Sequence, residues 1–410
     1  MAIPTKKEIL DFSPINAGGR EALPEFRRKP YSEIEKALKT KLIVAITGLR
    51  RVGKTTLMKQ LLGKDSAYFS FDEKRYANPD ALKRVIDVFL EENENPLIAL
   101  DEIYRVEDWS GVIKKYHDQK LARFLVSGSS SLLIKKGVES LSGRMLTIQI
   151  PPLQFDECLE LKHKKAETPK FADAFKAKKT YEEDLDEFLI KGSFPEIMNM
   201  DEKTAQSYIR TSTIEKIVLD DIPSTFNIEH ASKLYDLLKL CATNSSHLYS
   251  ELNFSEALQI SRHAVSDYLF YLSKAFLSET VFPAGSYQKA LKKQKKIFVK
   301  TASVYNALAE NRNAGQAAET AVFDKLNPLG NLSFYRDAQK REVDFISKFP
   351  VEVKFQSTIT SEDTRTMLYY LQKKKQGQGI VVTKSLLDEK MIDGKKITYI
   401  PLELFLRLQL

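Results

Sequence analysis

The sequence has few of the residues that build cross-linked or thiolate-bound structures. Only two cysteines occur among 410 residues, Cys158 and Cys241, and they lie far apart in the chain. A disulfide framework and a zinc site made of thiolates are therefore excluded. The five histidines lack metal-ligand spacing, and no apolar run reaches the roughly 18 residues of a membrane-spanning helix. The N-terminus also lacks the apolar segment of a signal peptide, so we expect a cytoplasmic protein without a membrane partner.

The composition is that of a folded protein with several domains. Hydrophobic residues make up 43% of the chain and charged residues 29%, which is enough apolar material for packed cores. At about 100–200 residues per domain, the 410 residues predict two to four domains. The formal net charge of +8 permits a nucleic-acid partner, although a lysine-rich surface that only keeps the protein soluble would account for it as well.

A buried strand followed by a glycine-containing loop is predicted near the N-terminus. Residues 42–47 are almost wholly apolar, which is typical of a strand buried on both faces of a parallel sheet. The next residues match the phosphate-binding motif G-x-x-x-x-G-K-T, and a helical pattern follows. In this motif the backbone N–H groups surround phosphate, the lysine contacts the β- and γ-phosphates, and the threonine hydroxyl binds Mg²⁺. The predicted nucleotide-binding residues are Gly48, Leu49, Arg50, Arg51, Val52, Gly53, Lys54, Thr55 and Thr56.

A second apolar run, residues 97–100, ends in the acidic pair Asp101 and Glu102. Alone, such a pair is usually a solvated strand end. Beside a phosphate-binding loop, Asp101 is expected to hold Mg²⁺ through water, and Glu102 to polarise the water that attacks the γ-phosphate. Helical stretches are predicted over 79–91 and 109–119. This alternation of strands and helices predicts a parallel sheet with its ligand at the carboxyl ends of the strands.

A third apolar run, residues 124–126, leads into a serine-rich segment. Ser127 or Ser129 is predicted to sense the γ-phosphate, although a serine here is also a favoured cap for a helix that would begin near Ser130. Arg144 stands before a further predicted strand. It is a candidate for contacting the γ-phosphate in its own chain or across a subunit interface of a homo-oligomer. The alternative is a surface arginine paired with an acid.

These segments together resemble a known group of proteins. The segments GLRRVGKTTL, LIALDEI, SGSSS, LSGR and PPLQFDECL are similar to AAA+-type ATPases of archaea and bacteria. The resemblance extends from about Arg27 to the end of the chain. It implies ATP and Mg²⁺ as cofactors, nucleotide-driven switching, frequent association with DNA, and a C-terminal domain similar to PD-(D/E)xK nucleases. The expected domains are an ATPase core over 1–155, a helical lid over 156–225, a winged helix over 226–302 and a restriction-endonuclease-like α/β domain over 303–410.

The middle of the chain has the pattern of a winged helix. Three helical stretches are followed by two extended runs, 277–282 and 297–301, which predict a two-stranded wing. Six lysines and no acid lie between Gly285 and Lys300, a run that would neutralise several DNA phosphates. Alternatively, these lysines are only solvated, or the unit is a lid or a protein-docking face. The predicted DNA-contacting residues are Arg262, His263, Ser266, Lys289, Lys292, Lys293, Lys295 and Lys296.

The last hundred residues predict the element order of the restriction-endonuclease-like core. That order is helix, three strands, helix and strand, and its segments are 314–326, 331–337, 341–347, 350–356, 361–375 and 379–383.

Acids and a lysine fall on this predicted framework where metal-assisted hydrolysis would need them. Asp344 and Glu352 are expected to hold Mg²⁺, and Lys354 to orient or deprotonate a water molecule. Glu319 would add to a metal position, and Gln372 would support the site. Alternating charge on one exposed strand face explains Glu352 and Lys354 equally well. Such domains can also lose cleavage and keep DNA binding.

Two functions therefore remain open. The first is an ATP-hydrolysing DNA-binding protein with a nuclease-like C-terminal domain, acting on branched or structured DNA by analogy with resolvases of that fold. The second is a signalling switch of the STAND type, whose C-terminal domain docks protein partners without cutting DNA.

Overall fold

The computed structural model describes residues 2–12, 23–128, 139–291 and 293–410. The chain forms two compact units, Met1–Pro152 and Leu153–Leu410. Within the described parts of the chain, no helix is long and apolar enough to span a membrane.

The first unit is built on a five-stranded sheet in the order β2-β3-β4-β1-β5, and every strand pair in it is parallel. β1 and β3 are buried along their whole length, as their apolar sequences predict. The amphipathic helix α4 begins with an Asn78 cap and buries one face against the sheet. The elements are α1 Lys6–Phe12, α2 Tyr31–Ala37, β1 Ile43–Thr47, α3 Lys54–Gln60, β2 Ser66–Ser70, α4 Pro79–Glu92, β3 Leu97–Asp101, α5 Trp109–Asp118, β4 Arg123–Gly128 and β5 Met145–Gln149.

One strand of this sheet, β2, is missing from the sequence-based prediction. It lies at the sheet edge and pairs with β3 along five residues, from Ser66 opposite Leu97 to Ser70 opposite Asp101. Its apolar core is only three residues long, which gives too weak a pattern to identify a strand.

The second unit begins with helices. The helix Glu202–Tyr208, α8, is followed directly by a π-helical stretch, Ile209–Asp221. The helices are α6 Phe155–His163, α7 Glu182–Ile190, α8 Glu202–Tyr208, α9 Ile222–Phe226, α10 Ala231–Thr243, α11 Glu251–Leu258, α12 Arg262–Lys274, α13 Tyr287–Leu291, α14 Ala302–Leu308, α15 Ala314–Leu326, α16 Ser361–Lys373 and α17 Leu402–Arg407.

A nine-stranded mixed sheet runs through the second unit in the order β13-β14-β12-β11-β10-β9-β7-β8-β6. β7 pairs with β9, so the sheet continues across the domain boundary predicted between 302 and 303. Neither that boundary nor the one predicted at 225 separates compact units. The strands are β6 Leu248–Tyr249, β7 Ser278–Pro283, β8 Lys295–Val299, β9 Ser333–Arg336, β10 Glu342–Ile346, β11 Pro350–Lys354, β12 Gln378–Thr383, β13 Asp388–Ile392 and β14 Lys395–Pro401.

This sheet curls so that β8 faces β10, although two strands lie between them in the pairing order. The ring of Phe298 on β8 lies 5.6 Å from that of Phe345 on β10, centroid to centroid. The same ring stacks at 4.5 Å on Phe323 of α15. The curl therefore brings side chains of β8 toward the acids of α15, β10 and β11.

Candidate functional site

The phosphate-binding loop connects the end of β1 to the start of α3, as predicted. At Gly48 a Cβ atom would collide with the carbonyl oxygen of Ile150, so only glycine fits there. Gly53 has φ 90°, a left-handed conformation that glycine adopts at little cost. The two glycines of the motif therefore meet different local demands, one a close backbone approach and the other a tight turn.

Lys54 lies across the loop and is only 5% exposed. Its Nζ atom donates to the carbonyl oxygens of Gly48 and Leu49, at 3.0 Å in both cases. Both acceptors belong to the loop, so the ammonium group is held at the place where the motif binds phosphate.

Three hydroxyl groups converge on the carboxylate of Asp101 at the end of β3. Thr55 Oγ1 donates to Asp101 Oδ2 at 2.6 Å, and the Tyr68 hydroxyl donates to the same oxygen at 3.0 Å. Ser127 Oγ donates to Asp101 Oδ1. Burial and the nearby Asp101 charge raise the pKa of Tyr68, so its hydroxyl remains a donor. The Thr55 hydroxyl is a hard oxygen ligand for Mg²⁺, and Asp101 accepts from neutral hydroxyl groups rather than from ammonium groups, so both fit the predicted Mg²⁺, which Asp101 would hold through water.

Glu102 follows directly and leaves the strand with φ 52°. This left-handed conformation is uncommon for a side chain other than glycine, asparagine or aspartate, and such residues cluster at functional sites. Its backbone N–H donates to Ser127 Oγ at 3.1 Å. Ser127 thus bridges the acidic pair, and the predicted residues of β3 and β4 lie together.

Two residues of this site were not predicted. Tyr68 was missed because β2 was missed. Arg28 is 5% exposed and donates to the carbonyl oxygen of Val52 in the loop and, at 2.7 Å, to that of Pro151. It ties the phosphate-binding loop to the chain beyond β5, and an arginine within the short basic run 27–29 gives no signal of this role.

Arg144 does not reach the phosphate-binding loop of its own chain. It precedes β5, and its carbonyl oxygen accepts from Ile43 at the amino end of β1, whereas the loop follows the carboxyl end. Its guanidinium pairs with Asp118 at 2.7 and 3.3 Å, which lowers the pKa of that acid. The role within one chain is therefore wrong, because these parallel strands place the arginine at the opposite sheet edge. A role across a subunit interface remains a prediction.

The other residues predicted to bind nucleotide lie in the phosphate-binding loop or at the start of α3. Leu49 and Val52 are buried, Arg51 is exposed with φ 69°, and Arg50 and Thr56 are half-buried. Ser129 and the helix expected near Ser130 lie outside the described residues.

A second group of polar side chains lies in the other unit, and we call it the acid–lysine cluster. The hairpin of β10 and β11 brings Asp344 beside the next strand, where its Oδ2 accepts from the Val353 N–H at 2.9 Å. Gln372, which was predicted to support the cluster, is exposed. The members of the cluster are Lys296, Glu319, Glu342, Asp344, Glu352 and Lys354.

Lys296 is the residue of this cluster that the sequence analysis assigned to DNA, and that assignment is wrong. Its side chain is only 2% exposed, and Nζ lies 2.7 Å from Glu342 Oε1 and 3.0 Å from Asp344 Oδ1. Burial alone would lower its pKa, but the charges of Asp344 and Glu342 outweigh burial and raise it. The cause of the error is the curl of the sheet, which turns part of the predicted wing inward.

Glu352 and Glu319 are the carboxyl groups whose charge the lysines of the cluster do not fully neutralise. Lys354 Nζ donates to Glu352 Oε1 at 2.7 Å, whereas Oε2 is buried and has no hydrogen-bond partner among the described residues. Burial and the Asp344 charge raise the pKa of Glu352 to about 8. The same two causes raise the pKa of Glu319 to about 8, although a hydrogen bond with Ser246 opposes the shift.

The predicted Mg²⁺ ligands of this cluster do not fit a metal ion. Both Asp344 oxygens and one Glu352 oxygen are already engaged by Lys296, Val353 and Lys354. Across the ranges that the structure describes, no group of three or more His, Cys, Asp or Glu side chains is arranged to hold a metal. We therefore derive no hydrolytic step at this cluster.

The other predicted DNA-contacting residues divide into two groups. Arg262, His263 and Ser266 are exposed on α12, as is Lys293 after α13. In contrast, Lys295 is half-buried and lies 3.5 Å from a glutamate of α11. The lysine run is thus not one continuous exposed surface. The side chain of Lys289 and the whole of Lys292 lie outside the described residues.

Comparison with known families assigns a type to the first unit. Residues 40–159 match the family model described as an AAA domain. Residues 182–315 and 314–405 each match a model described as a domain of unknown function, DUF8612 and DUF4143 respectively.

Similar proteins occur in archaea and bacteria. An uncharacterized protein of Methanocaldococcus jannaschii is 28% identical over 362 residues, covering 82% of this chain and 80% of that protein. An uncharacterized protein of Haemophilus influenzae is 24% identical over 391 residues, covering 88% and 94%.

Two solved structures give further matches. A signal-transduction ATPase with numerous domains and a tetratricopeptide-repeat sensor, from Pyrococcus horikoshii, is 13% identical with a TM-score of 0.30, covering 75% of this chain and 45% of that one. This chain therefore spans less than half of that structure. The Holliday-junction branch-migration motor RuvB of Thermotoga maritima is 14% identical with a TM-score of 0.28, covering 69% and 94%. Residues 40–159 are thus similar to AAA domains.

Proposed function

We propose that the first unit binds and hydrolyses ATP, and that the nucleotide state controls DNA binding by the second unit. One observation carries the ATPase proposal. The phosphate-loop lysine lies across the loop on the carbonyl oxygens of Gly48 and Leu49, while three hydroxyl groups, those of Thr55, Tyr68 and Ser127, hold the Asp101 carboxylate at the end of β3.

Each residue of this site has a separate role in hydrolysis. The N–H groups of the loop and the start of α3 bind the phosphates, and Lys54 turns from its carbonyl partners to the β- and γ-phosphate oxygens. Mg²⁺, when bound with ATP, would be held by Thr55 and, through water, by Asp101, and would neutralise phosphate charge. Glu102 accepts a proton from the attacking water, and Ser127 fixes the backbone from which that carboxylate projects.

The DNA-binding proposal is supported by α12 and its neighbours. The order over residues 231–299 is helix, β6, helix, helix, β7, α13 and β8, which resembles a winged helix with one short extra helix in its wing, and α12 is the third helix. Arg262, His263 and Ser266 are exposed on α12, where a recognition helix would contact DNA. We do not propose DNA cleavage, because the predicted metal ligands Asp344 and Glu352 are hydrogen-bonded to other groups of the protein.

A second candidate function is a nucleotide-dependent switch that docks a protein partner. It is favoured by the inward orientation of the wing lysines. Lys296 is buried, Lys300 is 8% exposed and lies 3.4 Å from Glu279, and Lys295 lies 3.5 Å from Glu251. These pairs reduce the positive charge available to DNA phosphates.

ATP hydrolysis is tested with two variants and a control. Lys54→Ala should lose ATP binding, whereas Glu102→Gln should keep ATP bound and lose turnover by about 10²–10⁴-fold. ATP retention on a filter and phosphate release measure the two steps separately. Lys64→Ala, an exposed lysine beyond α3, is the matched control and should behave as wild type. Normal turnover in Glu102→Gln would mean that another residue is the base.

DNA binding is tested by gel shift with duplex and four-way DNA at increasing salt, with and without ATP. The proposal expects a complex that weakens steeply with salt and is weaker in Arg262→Ala. Arg365→Ala is the control, since it removes an equally exposed arginine from another helix of the same unit. If no complex forms at low salt, the DNA proposal fails and the protein-docking switch is favoured.

A further inference from the structure

Asp344 and Glu352, the predicted metal ligands of the acid–lysine cluster, offer almost no free oxygen to a metal ion. Asp344 Oδ1 accepts from Lys296 at 3.0 Å and Oδ2 from the Val353 N–H at 2.9 Å. Glu352 Oε1 accepts from Lys354 at 2.7 Å, which leaves Glu352 Oε2 without a hydrogen-bond partner in the described ranges. Mg²⁺ needs about six oxygen ligands, and one remaining carboxylate oxygen is a poor basis for them.

A cation is nevertheless present at this position, and the chain itself supplies it. Lys296 Nζ lies 2.7 Å from Glu342 Oε1 and 3.0 Å from Asp344 Oδ1, and the side chain is 2% exposed. A second positive charge beside Asp344 would lie close to this ammonium group in a poorly solvated environment, where repulsion is strong.

The backbone holds Lys296 in place. It lies on β8, which pairs with β7 on one side and β6 on the other. Two residues further along the strand, the Phe298 ring stacks on Phe323 at 4.5 Å. The backbone of Lys296 is therefore fixed beside the cluster.

We propose that the ammonium group of Lys296 takes the place of a divalent metal ion in the acid–lysine cluster, and that removal of this lysine creates a divalent-cation site. The inference is independent of the proposed ATPase and DNA-binding functions. It assigns Lys296 the role of a built-in cation that joins β8 to β10.

The test measures Mn²⁺ binding to the full chain without nucleotide, by electron paramagnetic resonance of free Mn²⁺. Wild type and the double variant Lys296→Met/Asp344→Asn should bind the same amount of Mn²⁺. Lys296→Met alone should bind about one more Mn²⁺ per chain, with half-saturation at least about tenfold below that of any wild-type site, because two carboxylates then face a vacated cation position. Any Mn²⁺ bound at the nucleotide site is common to all variants and cancels.

Lys300→Met is the matched control, because Lys300 is also buried but pairs with Glu279 outside the cluster. It should lose stability without gaining Mn²⁺. Thermal unfolding gives a second measure, in which Mn²⁺ should raise the midpoint of Lys296→Met by more than that of any other variant.

Two results would overturn the proposal. The first is a wild-type chain that binds more Mn²⁺ than the double variant. This comparison does not depend on the folding of Lys296→Met, because removing both partners of a buried pair is far milder than removing one. The second is a Lys296→Met chain that keeps its circular dichroism spectrum and binds no additional Mn²⁺.

Discussion

Each unit of this protein buries one lysine at a predicted functional site, and the two lysines differ in what holds them. Lys54 is 5% exposed and lies on the carbonyl oxygens of Gly48 and Leu49. Lys296 is 2% exposed and lies on the carboxylates of Glu342 and Asp344. If Lys54 turns from the carbonyl oxygens to the phosphates of ATP, its positive charge gains negatively charged partners. If Lys296 left the acid–lysine cluster, it would lose its ion pairs with Glu342 and Asp344. The charge of the partner thus decides whether a buried lysine is available to a ligand.

The largest expected effect is a difference in stability between variants of the two lysines. Lys296→Met should lower the free energy of unfolding by about 3–5 kcal/mol, because it leaves buried carboxylates without their cation. Lys54→Met should lower it by less, about 1 kcal/mol, because the contacts it removes include hydrogen bonds to the carbonyl oxygens of Gly48 and Leu49 rather than two buried ion pairs. Urea unfolding measures both. Equal losses in the two variants would break the comparison.

The second expected effect is on ATP affinity, and here Lys54→Met should be more impaired than Lys296→Met. Lys54→Met should weaken ATP binding by about 100-fold or more, the loss of a charge-assisted contact worth about 3 kcal/mol. Lys296→Met should leave ATP affinity unchanged. Titration of each variant with a fluorescent ATP analogue makes the measurement. Impaired ATP binding in Lys296→Met would show that the two sites are not independent.

The third effect extends the comparison to a carboxyl group that lacks direct neutralisation. Loss of solvent raises the pKa of Asp324 on α15 to about 7, and Lys300 opposes this only in part, since its ammonium lies 3.4 Å from Glu279. The folded chain therefore holds a proton that the unfolded chain releases near pH 4, and stability should fall by a few kcal/mol as pH rises from 4 through 7.

Asp324→Asn cannot release that proton and should reduce the slope of this part of the pH profile, to which Glu319 and Glu352 also contribute. Unfolding in urea at several pH values measures it. Asp173→Asn, in which the acid is paired with Lys176 at 2.7 Å and its pKa is lowered, is the control that should not flatten the same interval. An unchanged slope in Asp324→Asn would contradict the prediction.

The smallest effect concerns the Asp101 carboxylate. Tyr68→Phe removes one of its three hydroxyl donors and should slow ATP hydrolysis by about tenfold or less, with unchanged ATP affinity, because one hydrogen bond to a charged group is worth roughly 1.5 kcal/mol. Tyr76→Phe removes a hydrogen bond of 2.9 Å to Glu8 in the same unit and serves as the control. Steady-state phosphate release distinguishes the two variants, and equal rates would remove Tyr68 from the site.

The first site was largely predictable from sequence because its determinants are local. The phosphate-binding loop is contiguous, and parallel strands bring their carboxyl ends together, so Lys54, Thr55 and Asp101 could be placed before the fold was known. Tyr68 was not found because its strand has too few apolar residues to give a period-2 pattern. Arg28 was not found because its carbonyl acceptors carry no sequence signal.

The second site was predictable only within its hairpin. Asp344 and Glu352 lie on neighbouring antiparallel strands, and their proximity follows from the short turn between them. Lys296 lies far away in sequence and reaches them only through the curl of a nine-stranded sheet. Curvature depends on how whole layers pack, and a run of lysines looks the same whether it faces solvent or a cluster of acids.

The pairing of β7 with β9 limits how this protein can be divided or recombined. A fragment that begins at 303 would present an unpaired edge of β9 and would lack the lysine that neutralises Asp344. Swapping that fragment between relatives would require matching residues on β8 as well. We therefore expect the last hundred residues to evolve together with the helices and strands before them, and not as a domain that relatives can exchange.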